Sequence, residues 1–130
     1  IVCRTCGLTC TVIPKVETIG DCYVAATGLP EPQDDHALRM ARFATKMMNS
    51  MIDITRQLEV RLGPDTGELR CRVGMHSGPV TAGVLRGTKA RFQLFGDTMN
   101  FAARMEHHSA PNQIQCSEFT ADLIKKAGKE

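Results

Sequence analysis

Short apolar runs with the composition of β-strands alternate with longer amphipathic stretches along this chain. Two runs, Val16 to Ile19 and Cys22 to Thr27, are rich in β-branched and aromatic residues. Gly20-Asp21 between them is typical of a two-residue hairpin turn, so the sequence predicts a β-hairpin here. Further apolar runs predict strands at Leu69–Ser77, Val80–Leu85, Phe92–Phe95 and Ile114–Cys116.

Other stretches repeat apolar residues every three or four positions, which is the spacing of one helix face. The longest begins after a cap at Asp34 or Asp35 and ends near residue 60. A second covers Thr98–Glu106, and a third covers Ser117–Lys126 with Ser117 as its cap. Strands that alternate with helices, together with one tight hairpin, predict an α+β fold with the helices on one face of the sheet.

The length and charge of the chain narrow its class. At 130 residues it forms one domain at most, and a hydrophobic content of 42% is ordinary for a globular protein with a core. The 16 Lys and Arg residues nearly balance the 14 Asp and Glu residues, so nothing favours nucleic-acid binding. No apolar run approaches the roughly 18 residues of a membrane-spanning helix. The first residue is Ile1, and we expect the chain to be a piece of a longer protein.

The six cysteines fall into two groups. Cys22, Cys71 and Cys116 lie in apolar, strand-like surroundings, where we expect small buried side chains. The others, at positions 3, 6 and 10, are spaced as C-x-x-C-x-x-x-C. A structural zinc site built on them needs a fourth ligand that the neighbouring sequence does not offer, which favours the alternative of unpaired thiols in a reducing compartment.

Two acidic residues of the predicted hairpin are candidate ligands. Asp21 at the tip fits a turn former, and a single carboxylate there binds Mg²⁺ well only if substrate phosphates and another acid contribute. Glu17 shares a sheet face with Ile19, where a charge is costly unless it is paired or meets a ligand. A carboxylate is well suited to accept hydrogen bonds from the N1 and N2 hydrogens of guanine.

The second predicted helix has the pattern of an anion-binding site. Asn100 and Arg104 are four residues apart, which puts an amide and a guanidinium on one face near the N-terminal end. A cap at Asp97 or Thr98, followed by an arginine one turn later, can hold a polyanion.

Three segments, in this order and spacing, resemble the class III nucleotide cyclases, and most closely the guanylate cyclases. They are KVETIGDCY and the following GLP (Lys15–Pro30), RVGMHSGPV and the following AGV (within Arg72–Gly87), and RFQLFGDTMNFAARM (Arg91–Met105). The resemblance implies a ferredoxin-like class III cyclase core with an antiparallel or mixed sheet, extending over most of the chain.

The resemblance also implies a role for individual residues. Glu17 would read guanine, Asp21 would bind two metal ions, Mg²⁺ or Mn²⁺, and Arg72 would contact the nucleotide phosphates. Asn100 would orient the ribose, and Arg104 would stabilise the transition-state phosphate.

Two residues of the matching segments, Gln93 and His76, can each be interpreted in two ways. Guanylate cyclases usually have Cys at the position of Gln93 and adenylate cyclases have Asp. A glutamine can donate to guanine O6 or accept from adenine N6, so the predicted preference for guanine depends on Glu17 alone. His76 could be a general base, but the family gives it no catalytic role, and we interpret it as a structural histidine.

The resemblance implies that GTP is converted to cyclic GMP and pyrophosphate at the interface of a head-to-tail homodimer or heterodimer. One chain would supply Glu17, Gln93, Asn100 and Arg104, and the other would supply Asp21 and Arg72. Two alternatives remain open: an adenylate cyclase acting on ATP, and an inactive cyclase homology domain that dimerises and regulates. We expect a cytoplasmic domain that meets a membrane only through other parts of its parent protein.

Two parts of the family pattern are missing from the chain. Residues 1–14 contain no acid that could be the family's first metal-binding Asp, and a late Lys that meets the triphosphate is absent. We therefore expect residues 15–130 to be a partial catalytic domain, cut at both ends, and residues 1–14 to be divergent or misjoined. The family's first strand and its helices would be lacking, which would expose a sheet edge. We expect the isolated piece to be inactive.

Overall fold

The computed structural model of this chain describes residues 2–4, 15–87 and 90–128. The cysteine side chains considered as zinc ligands lie outside the described part. Its strands are β1 (Val2–Arg4), β2 (Lys15–Ile19), β3 (Cys22–Ala25), β4 (Arg72–Met75), β5 (Thr81–Arg86), β6 (Ala90–Phe95) and β7 (Gln113–Cys116). Its helices are α1 (His36–Leu62), α2 (Asp97–His108) and α3 (Glu118–Ala127), with a 3-10 turn at Pro64–Glu68.

The main sheet has five strands in the order β2-β3-β1-β4-β7, and β5 and β6 form a separate two-stranded ribbon. All pairs in the main sheet are antiparallel except β4 and β7, which run parallel. The predicted α+β class with a mixed sheet is confirmed. The sheet has no gap beside β3, because Val2–Arg4 pairs with β3 on one side and β4 on the other.

The elements follow the predicted order, and the main difference is the length of β4. The strand covers Arg72–Met75 rather than Leu69–Ser77, because only these four residues pair with β7, from Arg72 opposite Gln113 to Met75 opposite Cys116. The residues Leu69–Cys71 connect the 3-10 turn at Pro64–Glu68 to the strand and belong to neither element. Local composition favours an extended chain there, but a strand ends where its neighbour ends.

Helices cover both faces of the main sheet. Alternate residues of β3 and β4, among them Tyr23 and Val73, pack into a core with the methionines of α1. The core cluster consists of Tyr23, Ala25, Met40, Phe43, Ala44, Met47, Met48, Met51, Cys71, Val73 and Met75. On the opposite face Val24 packs against Ala102 of α2. The prediction of helices on one face is thus correct for α1 and α3, which contact each other. It is wrong for α2, which lies on the opposite face of the sheet.

The methionines of α1 fill core space, since Met40, Met47, Met48 and Met51 are all buried. Cys71 is fully buried, as predicted, whereas Cys22 and Cys116 are only partly buried. Among the described residues, no helix combines the length and the apolar character that a membrane span requires.

Candidate active site

The β2–β3 hairpin positions the two candidate acids. Its turn is Gly20-Asp21, as predicted, and Gly20 has φ +60°, a conformation that costs glycine little. Asp21 is exposed at the tip. The register with β3 shifts between Lys15 and Glu17, which is a β-bulge, and such bulges redirect the side chains beside them.

Glu17 meets Gln93, a residue 76 positions further along the chain. The Nε2 of Gln93 donates to the Oε2 of Glu17 at 3.3 Å, and both side chains are partly buried. Gln93 lies in the middle of β6, opposite Gly83 of β5. Two residues assigned to the base from the sequence are therefore in contact, and the pair presents a carboxylate acceptor beside an amide donor.

The start of α2 differs from the prediction. The cap residue is Gly96, with φ +134°, and it makes no side-chain cap bond. Asp97 and Thr98 both lie inside the first turn, so the predicted cap is wrong. The hydroxyl of Thr98 instead donates to the carbonyl of Pro79 at 2.6 Å. The backbone needs a residue that tolerates positive φ at the cap, which favours glycine over a side-chain cap.

Asn100 and Arg104 lie on the outer face of α2 and are exposed, as their spacing predicts. The helix buries Ala102 and Glu106 on the opposite face. The guanidinium carbon of Arg104 lies 5.6 Å from the centre of the Phe101 ring, within reach of a cation–π contact. Phe101 was not among the residues predicted for the site. The signal for it in the sequence was an aromatic residue close to a candidate arginine.

His76 is held by neighbours rather than presented to solvent. Its Nδ1 and the hydroxyl of Ser117 are 2.7 Å apart, and its ring centre lies 5.1 Å from that of Phe101. The same hydroxyl caps α3, as predicted, by accepting from the backbone N–H of Thr120 at 3.4 Å. These contacts support the interpretation of His76 as a structural residue.

Arg72 forms an ion pair with Glu106, a residue that the sequence analysis did not single out. The Nε of Arg72 is 3.0 Å from Oε1 of Glu106, and the side chains are 29% and 5% exposed. The contact is electrostatic, since this oxygen receives no well-aligned hydrogen bond. An acid at the helical spacing of the partly buried Met99 and the buried Ala102 was a signal in the sequence for a paired charge.

The described contacts thus form two separate groups. Glu17 and Gln93 join β2 to β6, while Arg72 and Glu106 join β4 to α2. Within the described residues, no cluster of three or more His, Cys, Asp or Glu side chains forms a metal centre. Asp21 fits one position of such a centre, since an exposed carboxylate is a ligand that Mg²⁺ prefers.

Two spaces bounded by the described residues are separate from the candidate residues. A cavity of about 90 Å³ is bounded by α1 and the start of α2, and an open cleft of about 830 Å³ lies beside the loop that precedes α1. Neither space is lined by the six candidates, which are Glu17, Asp21, Arg72, Gln93, Asn100 and Arg104. Asp21, Asn100 and Arg104 are exposed and the other three are partly buried, so a second molecule could reach them and complete a site.

The comparisons with known proteins all indicate the same family. Residues 5–130 match the model of the adenylate and guanylate cyclase catalytic domain. The rat guanylate cyclase soluble subunit beta-2 is 43% identical over 117 residues, which are 89% of this chain and 16% of that protein. The chain therefore spans about a sixth of the length of this curated relative.

Solved structures agree with this match. The guanylate cyclase domain of RhGC from Catenaria anguillulae, in complex with GTP, is 40% identical with a TM-score of 0.70, over 87% of this chain and 58% of that one. The adenylyl cyclase CyaB from P. aeruginosa is 25% identical with a TM-score of 0.77, over 88% of this chain and 59% of that one.

Proposed function

This chain belongs to the adenylate and guanylate cyclase catalytic domain family, and we propose that the longer protein containing it, its parent protein, is a guanylate cyclase. The parent protein would convert GTP to cyclic GMP and pyrophosphate. We further propose that this chain is a cytoplasmic domain of the parent protein.

The contact between Glu17 and Gln93 is the observation that most favours GTP. Guanine presents two adjacent donors, N1–H and N2–H, and one acceptor, O6, along one edge. The carboxylate of Glu17 can accept from both donors, and the second N–H of Gln93 can donate to O6. Adenine offers only one donor to the same carboxylate, so guanine makes one hydrogen bond more.

Asn100 and Arg104 would act on the sugar and the phosphate. In the proposed reaction the ribose 3′-oxygen forms a bond to the α-phosphorus, the 3′ proton is lost, and the bond to pyrophosphate breaks. Asn100 would hold the ribose so that the 3′-oxygen faces the phosphorus. Arg104 would stabilise the negative charge that grows on the phosphate oxygens, and its fixed positive charge needs no proton transfer.

A divalent metal ion, Mg²⁺ or Mn²⁺, would supply a nucleophile of lowered pKa and would neutralise phosphate charge. Asp21 is the residue that we expect to hold it, with phosphate oxygens as further ligands. The family pattern implies two ions, and Asp21 is the one carboxylate that we assign to them among the described residues.

We propose that the site is completed by a second cyclase domain. Glu17, Gln93, Asn100 and Arg104 would come from one chain, and Asp21 and Arg72 from its partner. Two observations support a site between chains: the candidates line neither of the two described spaces, and the β5–β6 ribbon exposes large apolar side chains that a partner could cover. A monomer would then be inactive.

The test of base preference replaces both residues of the contact between Glu17 and Gln93. In the parent protein, assayed with Mn²⁺ and with GTP or ATP, Glu17→Lys with Gln93→Asp should shift the GTP/ATP preference more than tenfold toward ATP. The shift follows because a polar group that the bound nucleotide removes from water and leaves unpaired costs roughly 1–3 kcal/mol. The same substitutions on the exposed surface of α1, Glu59→Lys with Gln57→Asp, are the matched control and should leave the preference unchanged.

The same assay separates the alternatives. An unchanged GTP/ATP ratio in the Glu17 and Gln93 variant would refute the base assignment. The adenylate cyclase alternative is favoured by the ambiguous hydrogen bonding of Gln93 and by the likeness to CyaB, and it predicts a wild-type parent protein that prefers ATP. The inactive homology domain predicts no product from either nucleotide.

A further inference from the structure

Glu106 is a buried acid in a place where a purely structural residue would be apolar. It lies on the face of α2 that also buries Ala102, and its side chain is only 5% exposed. A carboxylate in this position is costly unless a positive charge neutralises it. Arg72 of β4 is the ion-pair partner that the described part of the chain provides.

The backbone fixes where this carboxylate can reach. Gly74 of β4 lies directly under α2, and a Cβ there would collide with the backbone N–H of Glu106 and the carbonyl of Ala102. The helix therefore rests on the strand with no side chain between them. Arg72 is two residues before Gly74 and faces the same side of the sheet, so the short span from Glu106 to Arg72 is set by main-chain contact.

The ion pair is made at one nitrogen of the guanidinium. Glu106 approaches Arg72 at Nε, at 3.0 Å, while the other donors of the planar group are its two Nη atoms. Arg72 remains 29% exposed, so an anion from solvent can approach it. A guanidinium that is held at Nε has a fixed orientation, and its Nη atoms are the donors that a phosphate would contact.

We propose that Glu106 is a positioning residue that orients Arg72 toward the phosphates of the nucleotide. This inference rests on the proposed function, because Arg72 is assigned to phosphate there. It has a consequence for α2. The outer face of the helix presents Asn100 and Arg104 to one nucleotide, while Glu106 on its inner face orients an arginine that serves the nucleotide of the partner's site.

The test measures ligand binding rather than turnover, so it remains valid if the parent protein makes no product. Calorimetry on the parent protein with GTP, pyrophosphate and guanosine separates the phosphates from the base. Glu106→Gln keeps the size of the side chain and removes its charge. It should weaken the binding of GTP and of pyrophosphate about tenfold, which is the lower end of the effect of losing a supporting partner. The affinity for guanosine should stay unchanged.

Two further variants show whether the effect passes through Arg72. In an Arg72→Met background, Glu106→Gln should cause no additional loss of pyrophosphate affinity, because coupled residues are not additive. The double variant removes both charges and keeps the test usable if Glu106→Gln alone fails to fold. Glu118, an exposed acid of α3, provides the matched control, and Glu118→Gln should bind all three ligands as wild type does.

Several outcomes would overturn the proposal. Tighter binding of pyrophosphate to Glu106→Gln would mean that Glu106 competes with phosphate for Arg72. Equal weakening of guanosine and pyrophosphate would mean a general structural defect, and a further loss in the Arg72→Met background would mean that Glu106 acts without Arg72. By contrast, absence of cyclase activity in the wild-type parent protein would refute the proposed function and leave these binding results interpretable.

Discussion

The five-stranded sheet and the β5–β6 ribbon are built from similar apolar strands but differ in what covers them. In β4, Val73 is fully buried and Met75 is 2% exposed. In the ribbon, Val84 is 60% exposed and its cross-strand partner Phe92 is 46% exposed. The sheet has α1 on one face and α2 on the other, whereas these two ribbon residues remain exposed to solvent.

The difference indicates that the apolar side chains of the two regions have different roles, one in the fold of the chain and the other in contact with a partner. Burial of the apolar side chains of the sheet stabilises the fold of this chain, because it removes apolar surface from water. The exposed apolar side chains of the ribbon contribute little to the monomer, and contiguous exposed apolar surface is typical of contact sites. Gln93 lies on the ribbon and Glu17 on the sheet, so the proposed base-binding pair joins the two regions.

Asp21 offers the strongest test of this comparison, because it belongs to a sheet hairpin yet is exposed like the ribbon. In the parent protein, Asp21→Asn should lower cyclase activity at least about a hundredfold, since a neutral amide replaces a metal carboxylate. The melting temperature should stay close to that of wild type, because an exposed turn residue contributes little to packing. Activity would be measured with Mg²⁺ and with Mn²⁺.

Asp53→Asn, at an exposed position of α1, is the matched control and should keep full activity. If Asp21→Asn retained Mn²⁺-dependent activity and bound metal as wild type does, Asp21 would be a turn former only.

The same substitution in the two regions should give two different results. Val73→Ala in the sheet should lower the free energy of unfolding by about 2 kcal/mol, because it removes buried methyl groups and leaves a cavity. Val84→Ala in the ribbon should change it by less than about 0.5 kcal/mol, since the residue is mostly exposed. Urea unfolding of the two variants at a concentration where the protein is monomeric measures both.

The ribbon should instead affect association. Val84→Asp should shift the monomer–dimer equilibrium of the parent protein toward monomer in sedimentation experiments, because a charge at an apolar interface loses its hydration. Equal destabilisation by the two alanine variants, or an unchanged dimer in Val84→Asp, would argue against this division between the regions.

The smallest effect is expected at the rim of α1, where an acid stabilises the helix that covers the sheet. The side chain of Arg39 donates to the carboxylate of Asp35 at 2.8 Å and holds the pKa of that carboxyl below its usual value of 3.8. A lowered pKa in the folded state means that the pair stabilises the protein above the unfolded pKa, and that this stability is lost as the pH falls through the folded pKa.

Asp35→Asn should therefore lower the melting temperature slightly near neutral pH, and the difference from wild type should vanish once the pH has fallen below the lowered pKa of the folded state. The effect is small because both side chains are 45% exposed and solvent screens the pair. A difference that grew on acidification would have the wrong sign and would contradict the assignment.

The sequence alone was sufficient for the local elements. The Gly20-Asp21 turn follows from the two-residue hairpin rule, and the spacing of Asn100 and Arg104 places them on one helix face without any tertiary information. The cap of α2 was not predictable in this way. Asp97 and Thr98 are good cap residues, but the loop at Pro79 takes the Thr98 hydroxyl and the backbone requires Gly96.

Contacts between distant residues were decided by the tertiary structure. The sequence indicates that Glu17 and Gln93 both meet the base, but their contact across 76 positions depends on how the ribbon lies beside the hairpin. The pairing of Arg72 with Glu106 depends on the close approach of α2 to Gly74. Hydrophobic periodicity specifies which side of each element faces a neighbour, whereas the identity of that neighbour is set by the packing of the whole chain.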